Sequence, residues 1–301
     1  MRNMQDWPEL QALGLLVALK SSARSIGQAA AAVGLAQPNA SRSLRALERD
    51  LGVPLLRRSP RGSELTVEGE AVAGWAAEVI EAYSNLNAGA RAIQDARAGT
   101  VRIRASLTVA EYLLPAHLVT LHARRPDIEV GLTVENSAAV LAAVRERRCD
   151  FGLVESLTLP AGFRAEVIGR DRLLIAAAPG FAGAWTTPLD SAGLSAVPLL
   201  VREQGSGTRE VIDAALAGHG GPRIAGEYGS NSALKVAAAT GLAPIVLSEL
   251  ALRDEIRAGR LVALPVDDGV RLDRVLHAVW LPDRRLTPGA RTVLEHIVAA
   301  R

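Results

Sequence analysis

The chain has 301 residues, 49% hydrophobic and 22% charged, a balance that suits a soluble globular protein of two or three compact units and excludes a disordered or fibrous one. A single cysteine, Cys149, excludes an intrachain disulfide and suits a reducing cytosol. The opening MRNMQDWPEL has no apolar run behind its basic residue, so it does not read as a secretory signal. No stretch is apolar for long enough to cross a bilayer, and a cytoplasmic location is expected. The formal charge of +2 divides unevenly: residues 1–66 hold nine basic and five acidic residues, a net of +4, which leaves −2 for residues 67–301. A basic front unit suggests a polyanion partner for that unit only.

Residues 7–20 read as a first helix with Leu10, Leu13, Val17 and Leu19 on its apolar side. Ile26, Ala29, Ala30 and Val33 then mark one helical face, with Ser25 as its amino-terminal cap and Gly34 as its stop. After a turn at Gly34-Leu35-Ala36, the run QPNASRSLRALERDLG places Ala40, Leu44, Leu47 and Leu51 on an apolar face, and Pro38 suits the first turn. Two short helices with a tight turn, the second polar at its leading end, describe a helix-turn-helix. VPLLRRSPRGSELT reads as two short strands around a basic tip, a wing. A plain helical hairpin with a solvated charged face is the alternative.

The segment AAAAVGLAQPNASRSLRALERDLGVPLLRRSPRGSELTVEG resembles the amino-terminal domain of LysR-type transcriptional regulators, through Ala29-Ala30, Gln37-Pro38, Ser41, Leu47-Glu48, Leu51-Gly52, Arg58, Leu65-Thr66 and Gly69. It departs from the pattern where Leu56 replaces a phenylalanine and where no glycine follows the first helix. The resemblance implies a winged helix-turn-helix over residues 1–66. Gln37, Pro38, Asn39, Ser41, Arg42, Arg45, Arg58 and Arg61 are its expected DNA-binding residues. Gln37, Asn39 and Arg42 carry donors suited to base edges; Ser41, Arg45, Arg58 and Arg61 suit phosphates.

Residues 67–98 contain no proline. Val72, Ala76, Val79, Tyr83, Leu86, Ala90 and Ile93 are spaced 4, 3, 4, 3, 4, 3, the heptad stripe of paired helices. A helix about 45 Å long would overhang its own small domain, so it is expected to dimerise, and a two-fold dimer calls for double-stranded DNA with two related half-sites. Packing against its own domain is the alternative.

From residue 99 strands alternate with helices, which predicts parallel α/β sheets. Two such sheets are expected, with the chain crossing between them near residues 157–165 and 263–270. At four junctions a strand ends and a helix opens: Ser106-Leu107-Thr108, Asn136-Ser137, Gly205-Ser206-Gly207-Thr208 and Ser230-Asn231-Ser232. Ligands bind beyond the carboxyl ends of strands in open α/β sheets, and helix amino termini favour anions. Each Ser or Thr also fits an ordinary helix cap. Gly205 and Gly207 let the backbone come close to whatever lies opposite.

Competing chemistry lacks its residues. Gln204 and Thr208 stand where a G-x-S-x-G elbow needs glycines, no Gly-Lys pair exists for a phosphate loop, and the five histidines His117, His122, His219, His277 and His296 are scattered. Neither a catalytic set nor a metal or other cofactor site is expected. RIRASLTVAEYLLP, DFGLVE, REQGSGTRE and GSNSALKVAAATGLAPIVLS resemble the effector domain of LysR-type regulators, and are most similar to the branch that includes regulators of carbon-fixation and sulfur-assimilation operons.

The resemblance implies an α/β effector domain of periplasmic-binding-protein type over residues 99–301. Its subdomain I would take about 99–160 and 268–301, and its subdomain II about 161–267. It also implies a small anionic effector held by Ser106, Thr108, Asn136, Ser206, Gly207, Thr208 and Asn231, and an assembly of two dimers. The whole is then a one-component transcriptional regulator, activator or repressor. A small-anion-binding protein without DNA regulation is the alternative, and an enzyme using Ser206 or Thr208 lacks a base.

Overall fold

The computed structural model describes residues 8–21, 25–59, 62–98, 100–182, 185 and 187–299. The chain forms two compact units, Met1–Gly89 and Ala90–Arg301.

The first unit opens with α1 (Leu10–Ser21), α2 (Ile26–Ala32) and α3 (Gln37–Leu51). Ala12, Leu13, Leu15 and Leu16 of α1 are buried against Ala29, Ala30, Ala40, Leu44 and Leu47. The small residues of α2 permit that close three-helix contact. Ser25 caps α2 by accepting the Gln28 N–H at 3.2 Å, and Gly34, at φ +71°, turns the chain into α3. Gly52, at φ +72°, ends α3. β1 (Leu56–Ser59) and β2 (Gly62–Leu65) pair antiparallel as the wing.

α4 (Val67–Ala98) follows. Thr66 caps it by accepting the Gly69 N–H at 2.9 Å while its own hydroxyl donates to the Pro54 carbonyl at 2.7 Å. Ala73 and Ala76 are buried in the core of this unit, and Val72 and Ile80 pack against it. The start of α4 therefore serves the first unit's own core, as the alternative of packing against its own domain has it for that part of the stripe. Periodicity identifies an apolar stripe without saying what covers each part of it.

The second unit carries β3 (Thr100–Ser106), α5 (Leu114–Arg124), β4 (Glu129–Glu135), α6 (Ser137–Arg145), β5 (Phe151–Ser156) and β6 (Arg164–Ala177). Next come α7 (Pro179–Ala182), α8 (Ser191–Ala196), β7 (Pro198–Arg202), α9 (Gly207–Leu216), β8 (Arg223–Tyr228) and α10 (Asn231–Ala239). β9 (Ile245–Ser248), α11 (Glu249–Arg257), β10 (Val262–Ala263), β11 (Asp273–Trp280) and α12 (Pro288–Ala299) complete it. A π-helical turn, Val109–Leu113, precedes α5. Pro115 explains it: a proline has no N–H to give and its ring crowds the carbonyl four residues back, so a wider turn relieves the clash.

The strands hydrogen-bond in the order β4-β3-β5-β11-β6-β9-β7-β8, with β10 on β6. β4, β3 and β5 run parallel, as do β9, β7 and β8. β6 and β11 run antiparallel to their neighbours and join the two halves. The sheet is therefore mixed, where the alternation of strands and helices predicts parallel sheets alone.

β6 pairs with β11 as far as Arg172 and with β9 from Leu173. The change of partner thus falls inside one unbroken strand, later than the 157–165 expected. Pro160 and Gly162 mark the turn into β6, and turn chemistry there reads like a crossing. Separate cores fill the two lobes: Val101, Ile103, Phe151, Leu153 and Leu294 in the first, Leu173, Val201, Ile212 and Val246 in the second.

Candidate functional site

In the first unit the leading end of α3 is open to solvent. Gln37, Pro38, Asn39, Arg42 and Arg45 are exposed and Ser41 is half-buried. Ala40, Leu44 and Leu47 on the opposite side are buried, so the apolar face fixes which residues point out. Arg45 Nε donates to the Ser41 carbonyl at 3.1 Å, which leaves its terminal nitrogens for an outside acceptor. Of Arg58 only the strand position is described, and Arg61 lies outside the described residues.

Glu48 points inward instead. Its Oε1 accepts the N–H groups of Leu55 and Leu56 at 2.9 and 3.0 Å, tying the wing to α3. Nothing local to Glu48 signals that role, because its partners lie seven and eight residues away.

Along α4, Val79, Tyr83 and Leu86 are exposed and Ala90 is open as well, while Val72 and Ala76 turn towards the unit's own core. Of Ile93 only the helix position is described. Trp75, absent from the heptad stripe, is 65% exposed. Trp75, Val79, Tyr83 and Leu86 line an apolar groove of about 1090 Å³ with Leu13 and Leu51.

In the second unit the junctions converge on Arg274, a residue that lies in none of the four strand–helix junctions. The Arg274 side chain is 0% exposed. Its Nε donates to Asp171 Oδ2 at 2.8 Å, its Nη1 to Thr208 Oγ1 at 3.0 Å and its Nη2 to Thr108 Oγ1 at 3.1 Å. It is also ion-paired with Glu155. The other oxygen of Glu155 accepts the Thr108 N–H at 2.9 Å, and Ser248 Oγ donates to Asp171 Oδ1 at 2.8 Å. Burial pushes the Asp171 carboxyl above the usual carboxylate range, against the pull of the Arg274 guanidinium.

The hydroxyls of Thr108 and Thr208, expected to meet an effector, thus accept from the chain's own arginine. The helix amino terminus at Thr108 already holds the chain's own carboxylate. Ser106 Oγ is buried with no hydrogen-bond partner.

Asn136, Ser206 and Ser230 are helix caps, accepting from Ala139, Thr208 and Ala233 N–H groups. Asn231 sits apart from the Arg274 cluster. Its Oδ1 accepts from Arg202 at 2.9 Å and its Nδ2 donates to Glu111 at 3.0 Å. Arg202 in turn forks onto Glu203 at 2.7 and 2.8 Å.

The two glycines do allow close approach, but to the protein itself. A Cβ on Gly207 would lie 2.0 Å from the Glu155 carbonyl oxygen, and one on Gly205, at φ +86°, would lie 3.0 Å from Ala138 Cβ. Beside this contact a recess of about 360 Å³ opens between the heads of α6 and α9, with Ser137, Ser156, Gln204, Ser206 and Arg209 on its walls. Glu210 and Asp213 also border it. Among the described residues no His, Cys, Asp or Glu group could hold a metal ion, and no helix is long and apolar enough to cross a membrane.

Residues 10–70 match the bacterial regulatory helix-turn-helix protein family of lysR type, and residues 94–301 match the LysR substrate binding domain. The chain is 35% identical over 305 residues to an uncharacterized HTH-type transcriptional regulator of Mycobacterium tuberculosis, with 97% of each chain covered. It is 30% identical over 277 residues to the HTH-type transcriptional regulator CbbR of Rhodospirillum rubrum, covering 92% of this chain and 91% of that one. Among solved structures, the CcmR regulatory domain of Synechocystis PCC6803 in complex with 2-PG is similar at a TM-score of 0.61 and 25% identity, over 67% of this chain and 96% of that one.

Proposed function

The chain belongs to the LysR family of DNA-binding transcriptional regulators, and from that premise we propose that a small anion bound between its two effector lobes controls how it engages a DNA site with two related half-sites. It is a regulator with an effector-binding domain, not an enzyme.

The observation that carries the DNA side of this reading is the exposed leading end of α3, with Gln37, Asn39 and Arg42 free of any core role. Such a helix end reaches base edges in the major groove. The apolar groove along α4 supports a dimer, because a patch of that kind is rarely left to water. Further apolar residues stand exposed in the second unit, among them Val119 on α5, Leu132 and Val134 on the edge strand β4, Ile224 on the edge strand β8 and Val236 on α10. Two separate self-association faces would build a tetramer from dimers.

For the effector, the recess between α6 and α9 is the better seat than the Arg274 centre. The Arg274 guanidinium is fully buried and already engaged by Glu155, Asp171, Thr108 and Thr208, whereas the recess is open space. The amino-terminal ends of α6 and α9 border the recess, and their partial positive charge favours an anion. The similar CcmR regulatory domain is solved in complex with 2-PG, which supports a small-molecule effector for this domain. The proposed domain pattern is a reading head over residues 1–66, a dimerising helix over 67–98 and a two-lobed sensor over 99–301.

Titrating the purified protein with duplex DNA from upstream of its own gene and with random duplex, at several salt concentrations, tests the DNA reading. Tighter, salt-dependent binding to the former supports it, and no binding to either duplex at low salt removes it. Repeating the titration with inorganic phosphate, sulfate and small carboxylates tests the effector class.

A further inference from the structure

We propose that Arg274 is a positioning residue that pins the two effector lobes together, and that Gly207 is the stop against which they close. The proposal rests on the reading of residues 99–301 as a sensor and names how one of its states is held.

Arg274 and Asp171 face each other in register on β11 and β6, the strands that join the lobes. Two residues later β6 leaves β11 for β9. A rotation of one lobe against the other displaces the backbone least at such a crossing. From this fixed place the guanidinium extends to both sides. Thr108, at the head of the first lobe's helix, accepts from Nη2, and Thr208, at the head of α9 in the second lobe, accepts from Nη1. Glu155 adds a carboxylate from the first lobe, and Ser248 ties the second lobe to Asp171. Separating the lobes moves Thr108 from Thr208, so at least one bond to Arg274 must break.

The lobes also meet backbone to backbone. The Ala138 N–H donates to the Gly205 carbonyl at 3.0 Å, and the Glu155 carbonyl occupies the space a Cβ of Gly207 would need. Tyr112 on the π-helical turn packs on the second lobe's core and lies 3.4 Å from Lys235 Nζ. Most of this seam is polar. Polar bonds can be exchanged for bonds to water or ligand, so the seam can open without exposing a large apolar surface. That property suits a joint that must release on demand.

Amide hydrogen exchange on the full-length protein tests the pin without any effector. Thr208→Val removes one acceptor from Arg274, and Gly207→Ala wedges the stop. Each is expected to raise exchange at the Ala138 amide about tenfold or more, the scale of one charge-assisted hydrogen bond, while the amides of β3 and β7 keep their protection. Arg274→Gln is expected to do the same more strongly; should it fail to fold, the first two variants still decide.

An unchanged Ala138 amide in Thr208→Val overturns the role of Arg274, even if Gly207→Ala opens the seam. A rise of equal size in β3 and β7 also overturns it, because that pattern is general destabilisation. Failure of every ligand to alter DNA binding would remove the sensor reading and leave these exchange results standing.

Discussion

The carbonyl oxygen of Leu55 lies 2.1 Å from where a Cβ of Gly69 would stand. The same carbonyl accepts the Thr66 N–H at 3.0 Å, so it cannot swing aside without giving up a bond. The entry to the wing and the first turn of α4 are thereby locked together by one absent side chain. Gly69→Ala is expected to destabilise the first unit by about 1–3 kcal/mol through overpacking, measurable as a lower urea midpoint for that unit.

Base reading and phosphate anchoring are expected to separate at α3. Arg42→Ala is expected to cost about 1–3 kcal/mol on the preferred site and to relax sequence choice. Arg45→Ala is expected to weaken specific and random DNA alike and to lower the slope of log affinity against log salt by about 1. Fluorescence anisotropy over a salt series distinguishes them; equal losses on both DNAs for Arg42→Ala would reverse the assignment.

Leu86 is 68% exposed at the end of the apolar groove. Leu86→Glu removes little from the monomer's own core, so thermal stability at low protein concentration is expected to change by no more than about 0.5 kcal/mol. Sedimentation velocity is expected to show dissociation of dimers. A variant that sediments like the unaltered protein would place the dimer contact elsewhere.

Cys149 is buried, and burial pushes its thiol up to about 11 against the nearby arginines. Below that pH the native sulfur stays protonated and unreactive, because only the thiolate attacks. Labelling by iodoacetamide at pH 8 is expected to be at least tenfold slower in the native protein than in denaturant. Raising the pH towards 10 is expected to help little while the fold persists.

Asp171 bears on pH in the opposite sense to a surface carboxylate. Its folded pKa is raised by burial, so the folded state holds the proton more tightly than the unfolded one. The stability linked to that proton is present below the unfolded carboxylate range and is lost as pH rises through the folded value. Relative to the unaltered protein, Asp171→Asn is therefore expected to be more destabilised at pH 4.5 than at pH 7.5 in urea unfolding. The reverse order would show that the Arg274 pair outweighs desolvation.

Much of the first unit could be read from its residues, since helix caps and turns are local. Ser25, Pro38, Gly34 and Gly52 each act within a few residues of themselves. The caps at Asn136, Ser206 and Ser230 were legible for the same reason. The centre of the second unit was not. Arg274 and Asp171 are 103 residues apart and meet only through the register of two strands. Neither strand announces itself: RAEVIGRDRLLIAA and DRVLHAVW mix charge and apolar residues where two neighbouring strands and two lobes compete to define the faces. Gly205 and Gly207 signalled a close approach correctly, but a sequence does not say whether the approaching atom is a ligand's or the chain's own.

The clasp that Glu48 makes on Leu55 and Leu56 has a bearing on how such a protein can be retuned. Recognition helix and wing are fastened into one rigid key. Its teeth keep their cut however the shaft is turned, so in the proposed dimer altering the distance between two keys is expected to change where on the double helix they seat and not which bases they fit.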